Sequence, residues 1–328
     1  MKLPNIVLLG TGGTIASTAN SATALTDYEV TQGVEALLDA VPEIAALANI
    51  RCHQLFNVES HAITTKMLLK LARRINDELA DPYVDGVVVT HGTDTLEETA
   101  YFLNLTVKSD KPVVIVGAMR PGSALSADGP LNLYNAVLLA GKTQAAGHGV
   151  LVMLNDQIAS ARFISKCSTT QVDAFRAYDQ GYIGQVHSGR VHIFQTPALR
   201  HTTRTDFNMA GVKSLPRVDV IYDHQNAGVH FYEASIKAGA NGIVIAATGN
   251  GSLSPQVRKG VKLALKNKLV CVIASRVGSG IVSASDAEGQ TGLISSGSLN
   301  PQKARILLML ALHQSSDREK IQACFDQY

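Results

Sequence analysis

Two short stretches hold most of the side chains that could do covalent chemistry. GTGGTIAS, Gly10 to Ser17, sets the Thr14 hydroxyl among glycines. VVVTHGTDTLEETAYF, Val87 to Phe102, runs from an apolar segment into His91, Gly92, Thr93, Asp94 and Thr95 before it turns helical. A plain strand-to-helix turn needs a glycine and one capping residue, so this density of polar groups points to a binding loop. A threonine hydroxyl is a weak nucleophile until a neighbouring base takes its proton. Thr14, Thr93 and Asp94 alone are therefore part of a catalytic set and not the whole. By itself Asp94 fits a cap on the helix that begins at Leu96, and His91 is expected to orient the loop by hydrogen bonding. The glycine-rich stretch also invites a dinucleotide reading. The fingerprint G-x-G-x-x-G would need its third glycine at position 15, where Ile15 stands, and the fingerprint is broken.

Both stretches follow apolar runs that read as buried parallel strands. These are Asn5–Leu9, Val84–Val89, Pro112–Val116 and Gly149–Leu154, all without polar alternation. Between them Lys66–Leu79 places Leu68, Leu71, Ala72, Ile75 and Leu79 on one helical stripe, and Asn132–Ala140 reads as a second helix. Near 193–216 the rhythm breaks into the polar segment TPALRHTTRTDFN. It then resumes with strands at Val218–Tyr222, Gly242–Ala246 and Val270–Ala274, helices near 231–239 and 255–267, and a last helical pair from Pro301, with Asn300 or Ser298 as its cap. The expected fold is α/β in two domains. Residues 1–192 form a larger, mostly parallel, flavodoxin- or Rossmann-like sheet flanked by helices; 193–216 are a linker; 217–328 form a smaller parallel-sheet domain. Ligands in such sheets bind outside the carboxyl ends of the strands, where Thr14 and Thr93 fall.

Composition narrows the function classes. The chain has 328 residues, 46% apolar and 17% charged, with a net charge of +2. Large cores are expected and disorder is not. No clustered Lys/Arg face suggests nucleic acid. The start, MKLPNIVLLG, lacks the long apolar core and cleavage site of a signal peptide, and no 18-residue apolar span suggests a membrane segment. Cys52, Cys167, Cys271 and Cys324 lie far apart without CxxC spacing, so neither a metal site nor a disulfide is read, and no metal or organic cofactor is expected.

TGGTIA (Thr11–Ala16) and GVVVTHGTDTL (Gly86–Leu96) resemble, in the same order, the two signature segments of the bacterial L-asparaginase family. KPVVIVGAMRP (Lys111–Pro121), SADGPLNLYNAV (Ser126–Val137) and SGSLNPQKARILL (Ser296–Leu308) extend the resemblance over essentially the whole chain. It is closest to the type II, periplasmic asparaginases and glutaminase-asparaginases. What this implies is carried over residue by residue. Thr14 matches the primary nucleophile, and Thr93, Asp94 and Lys166 match a Thr–Lys–Asp triad in which a neutral lysine amine would serve as base. Tyr28 matches the tyrosine of a closing lid that activates Thr14. Ser60 matches the serine that holds the substrate α-carboxylate, and Asp94 and Glu288 the acids that hold the α-ammonium. Ser252 and Glu288 are implied to come from a neighbouring subunit of a homotetramer, and Ala118 joins His61, Thr93 and Asp94 among the implied substrate-binding positions. The implied activity is hydrolysis of L-asparagine to L-aspartate and ammonia through an acyl-enzyme, with some activity on L-glutamine; the alternative makes glutamine a main substrate. The periplasm is the implied location, with the cytoplasm as alternative.

Two positions bear on specificity: His61 stands where the family usually has Gln or Glu, and Ser252 where some members carry Asn and others Ser. The cysteine pair that some relatives use for a disulfide is also missing, the matching segments reading NDELAD and VKSDKP. Two rivals from other classes remain open at this level. An amino-acid binding protein would share the architecture and the Ser60/Asp94 recognition but would not need the Thr93–Lys166–Asp94 set. A nucleotide-dependent dehydrogenase would need the glycine that Ile15 replaces.

Overall fold

The computed structural model describes residues 2–24, 28–283 and 292–328. The chain divides into two compact units, Met1–Gly211 and Val212–Tyr328. The first unit runs β1 (Asn5–Gly12), β2 (Ser17–Ala19), β3 (Tyr28–Val30), α1 (Val34–Asp39), β4 (Asn49–Val58), α2 (Thr65–Ala80), β5 (Gly86–Thr90) and α3 (Leu96–Thr106). It continues through β6 (Val113–Val116), α4 (Gly129–Ala140), β7 (Val150–Leu154), β8 (Gln157–Ser160), β9 (Ser165–Lys166), β10 (Phe175–Arg176), β11 (Gly184–His187) and β12 (Arg190–Ile193).

Eight of these strands make one sheet, in the order β12-β11-β8-β7-β6-β5-β1-β4. Its β4, β1, β5, β6 and β7 are parallel neighbours, and β8, β11 and β12 continue it antiparallel. The four apolar runs of the sequence are β1, β5, β6 and β7, the centre of the sheet. Their side chains alternate between two buried faces. Ile6, Leu8, Val88, Val114 and Met153 pack with α1 and α4 residues such as Leu37, Leu133 and Ala136. Val7, Leu9, Val87, Val89 and Ile115, on the other face, are also fully buried, and α2 and α3 pack there. Burial on both faces is why these strands carry no polar alternation.

Strand β4 is not legible in the sequence, and the reason is physical. As an edge strand with four of ten residues exposed and none buried, its NIRCHQLFNV mixes polar and apolar positions without a clean period. The antiparallel strands β11 and β12 are short and partly exposed, and β8, three of whose four residues are buried, is too short to show a period. Helix α2 fills the expected stripe. Thr64 caps it by accepting from the Met67 N–H, and Leu68, Leu71, Ala72, Ile75 and Leu79 are buried. Its one buried acid, Glu78, is paired with Arg51 and with Arg74 (2.5 Å), which offsets the cost of removing a carboxylate from water.

The second unit carries a four-stranded parallel sheet in the order β13 (Val218–Tyr222), β14 (Gly242–Ala247), β15 (Val270–Ser275) and β16 (Ile294–Ser295). Helices α5 (His230–Lys237), α6 (Pro255–Lys266), α7 (Pro301–Gln314) and α8 (Arg318–Gln327) complete it. Asn300 caps α7, accepting from the Lys303 N–H at 3.0 Å, with Pro301 at the first helical position. None of the four cysteines is in a disulfide; Cys271 is buried, Cys52 and Cys324 half-buried and Cys167 exposed.

Helices α5 and α6 meet where Gly260 leaves no room for a side chain. A Cβ there would lie 2.2 Å from the Tyr232 ring, which is fully buried. Gly260→Ala sets helix propensity, about 1 kcal/mol in favour of alanine, against overpacking, which costs about 1–3 kcal/mol. Because the contact is ring carbon on a fixed backbone, overpacking is expected to win. The denaturant midpoint of Gly260→Ala should fall below that of the wild type; an unchanged or higher midpoint would show that the helices separate freely.

Candidate active site

The loops after β1, β4 and β5 converge because their backbones touch. Gly12 and Gly13 both have positive φ, 100° and 87°, a region that glycine enters without penalty. A Cβ on Gly13 would stand 2.2 Å from the Gly92 N and Cα, and one on Gly92 would stand 2.9 Å from the Ser60 Cβ and Oγ. Nothing larger than hydrogen fits at either position. Thr11 fastens β1 to β5, its hydroxyl donating to the Thr90 carbonyl at 2.7 Å. The loop after β4 is tied to the loop after β5 through Thr95, whose N–H donates to Ser60 Oγ (3.3 Å) and whose hydroxyl donates to the Ser60 carbonyl (2.8 Å).

Thr14 opens a single 3-10 turn, Thr14–Ala16, and is 7% exposed. Its hydroxyl is 3.0 Å from the Tyr28 hydroxyl. Tyr28 reaches it from β3, which pairs antiparallel with β2 so that Ala19 faces Tyr28. Thr93 is 4% exposed; its hydroxyl accepts from the Lys166 Nζ at 3.0 Å, and the same ammonium donates to Asp94 Oδ1 at 2.6 Å. Lys166 is held on the short β9–β10 ribbon, opposite Phe175. Thus the structure brings Thr14 to Tyr28, and Thr93 to Lys166 and Asp94, as two hydrogen-bonded sets on adjoining loops.

A cavity of about 490 Å³ joins them. Of the residues singled out in the sequence, Thr14, Tyr28, Ser60, His61 and Asp94 line it. Thr93 and Lys166 are not on its lining and connect to it through Asp94. Ala118 is wholly buried and also off the lining; its loop is fixed by Asp128, whose carboxylate accepts from the Met119 and Arg120 N–H groups, both at 2.9 Å. Ser252 belongs to the second unit, exposed, with its N–H donating to the Thr248 carbonyl at 2.8 Å. Glu288 lies outside the described residues. Three lining side chains were not foreseen: Glu59, Thr169 and Thr170. Their proximity in sequence to Ser60 and to Lys166 was the available signal. Glu59 is 3.1 Å from the His61 Nε2.

A larger cavity, about 590 Å³, lies at the other end of the sheet beside Asn5, Asp85 and Lys111. Two of its charged groups are already committed: Lys111 donates to the Leu79 and Asp81 carbonyls, and Asp85 accepts from the Asn5 N–H. It gathers no activated hydroxyl, and the smaller cavity is the chemical one.

His91 sits within the second loop but outside the reacting set. It is fully buried, and its Nδ1 is 2.7 Å from the Gly92 carbonyl, which makes Nδ1 the donor. Burial pushes its pKa down to about 4, opposed by that hydrogen bond.

With this geometry described, the comparisons with known proteins are direct. The family described as Asparaginase, N-terminal, matches residues 5–199, and the Glutaminase/Asparaginase C-terminal domain matches residues 217–325. The chain belongs to the type II asparaginase family. It is 53% identical to L-asparaginase 2 of Bacillus subtilis (strain 168), over 99% of this chain and 87% of that protein. It is 44% identical to the glutaminase-asparaginase of Pseudomonas fluorescens biotype A, over 100% of this chain and 91% of that protein. Among solved structures, the probable cytoplasmic L-asparaginase of Campylobacter jejuni superposes with a TM-score of 0.97 at 46% identity, covering 99% of this chain and 100% of that one.

The depressed His91 pKa sets a pH dependence. An unfolded histidine titrates near 6.5, so between about 6.5 and 4 the unfolded chain binds a proton that the folded chain refuses. The stability contributed by neutral His91 is complete above that window and is lost as pH falls through it, at about 1.4 kcal/mol per pH unit. The His91 ring resonances should show no titration from pH 8 to about pH 5; titration near neutrality would contradict the buried, Nδ1-donating ring.

Proposed function

We propose that this chain is an amidohydrolase that releases ammonia from the side-chain amide of L-asparagine, giving L-aspartate, with L-glutamine as a second substrate. The observation that carries the reading is the pairing of two activated hydroxyls. Thr14 is hydrogen-bonded to Tyr28, and Thr93 is hydrogen-bonded to a lysine whose position Asp94 fixes, on loops that touch through Gly13 and Gly92. A binding protein would need the recognition groups but not this arrangement. The names of the Bacillus and Pseudomonas relatives support asparagine and glutamine as the substrate class.

In this reading the Thr14 hydroxyl attacks the amide carbon while its proton passes to the Tyr28 hydroxyl, which gives its own proton to the leaving nitrogen in the same step. The C–N bond breaks, the nitrogen leaves as ammonia, and an ester to Thr14 remains. Backbone N–H groups of the threonine loops stabilise the charge on the amide oxygen. Water then attacks the ester carbon, and its proton is relayed by way of Thr93 and Lys166 to Thr14 Oγ1 as the ester C–O bond breaks, releasing L-aspartate and the free threonine. Ser60 and His61 take the α-carboxylate. Asp94 commits Oδ1 to Lys166 and keeps its second oxygen for the α-ammonium, its side chain being 63% exposed. The reading calls for no metal and no organic cofactor.

The neighbouring-subunit roles of Ser252 and Glu288, within a homotetramer, belong to the same proposal. An apolar surface on the second unit supports assembly: Val220, Tyr222 and Val277 are exposed, and the Arg276 guanidinium lies 5.9 Å from the Tyr222 ring centroid. The resemblance implies the periplasm, whereas the Campylobacter relative is named cytoplasmic; cell fractionation separates the two.

Ammonia release from L-asparagine and L-glutamine, measured side by side, tests the activity. Wild type should turn over asparagine, with Thr14→Ala lowering kcat by about 10³-fold or more and Lys166→Met by about 10²–10⁴-fold. A folded wild type that releases no ammonia from either amide would overturn the proposal. The glutamine rate then decides how far His61 and Ser252 relax selectivity.

A further inference from the structure

Glu59 has no part in the mechanism above, yet it lines the same cavity as Thr14 and Asp94. It stands at the N-cap position of the 3-10 turn Ser60–Ala62 without a side-chain capping bond, so its carboxylate is not spent on the turn, while Ser60 is buried and tied to Thr95. The side chains on either side of Ser60, Glu59 (48% exposed) and His61 (64% exposed), lean on one another, His61 Nε2 to Glu59 Oε2 at 3.1 Å. Among the described lining residues there are two acids, Glu59 and Asp94, one histidine, and neither lysine nor arginine. The charge of Asp94 is matched by Lys166 at 2.6 Å. Among the described residues, the one ion-pair partner of Glu59 is the exposed His61.

Resting on the amidohydrolase reading, we infer that Glu59 is a specificity-determining residue that distinguishes the neutral amide substrate from the anionic acid product. Asparagine and aspartate share their α-ammonium and α-carboxylate, so every interaction with those groups cancels in the comparison. They differ in one charge, the side-chain carboxylate that hydrolysis creates. A cavity of this volume is only about 10 Å across, roughly one Debye length at 0.1 M salt, so that charge is felt by Glu59 wherever the side chain rests. Like charges at such range repel by enough to weaken product binding about three- to tenfold. The carboxylate therefore speeds departure of aspartate and lets the enzyme work in its presence, without touching the reacting atoms. It is a positioning and electrostatic group, not a catalytic one.

The test compares wild type, Glu59→Gln and Glu59→Asp in one assay, reading kcat and KM for L-asparagine and the inhibition constant for L-aspartate. The readout is the ratio of the aspartate inhibition constant to the asparagine KM. Glu59→Gln keeps size and hydrogen bonding but removes the charge, and the ratio should fall about three- to tenfold. Glu59→Asp keeps the charge and should retain the wild-type ratio. A structural role would move KM and the inhibition constant together and leave the ratio flat; a flat ratio in Glu59→Gln overturns the inference while an active wild type leaves the hydrolase reading intact. If wild type releases no ammonia, both fall.

Discussion

The site depends on one close contact: Gly13 against Gly92, backbone on backbone. Each glycine closes a strand loop, and each carries a threonine at the next position in the chain. A side chain at Gly13 would meet the Gly92 backbone at 2.2 Å and push the loops apart, and one at Gly92 would press on Ser60 at 2.9 Å and on the Gly13 Cα at 3.0 Å. Parallel strands alone put both loops at the same end of the sheet; only the absence of two Cβ atoms lets them touch. The positive φ at Gly12 and Gly13 follows from the same need, since the chain must turn sharply enough for Thr14 to begin its own turn beneath Tyr28.

Around that contact the polar groups are arranged so that each supporting residue is spent on orientation. Thr11 and Thr95 tie loops to one another and not to a ligand. Asp128 holds the loop after β6, and neutral His91 holds the Gly92 carbonyl. Held this way, Thr14 and Thr93 keep their hydroxyls for Tyr28 and Lys166. Preorganised groups need no rearrangement as charge develops, which is where such sites gain most of their rate.

The centre of the fold was legible because its physics is local. Central strands buried on both faces must be apolar throughout, and a helix against them must repeat its apolar residues every third or fourth position; β1, β5, β6, β7 and α2 obey this and could be read directly. The edge strand β4 could not, because none of its residues is buried and nothing in its pattern separates it from a loop. The chemical residues were legible in type from their loops, but their partners only through the resemblance to a family. No local pattern around Tyr28 shows that the β2–β3 pairing brings it to Thr14. Glu59 escaped for a related reason. A lone acid before a serine is ordinary surface composition until Ser60 turns inward and leaves its neighbours facing the cavity.

The central claim is that Thr14, and not Thr93, carries the acyl group. Rapid acid quench of the enzyme turning over L-asparagine, followed by mass mapping of its peptides, tests it most directly. The account predicts the mass of one β-aspartyl group on the peptide that contains Thr14, with the Thr93 peptide unmodified. A label on the Thr93 peptide, with Thr14 bare, would contradict it.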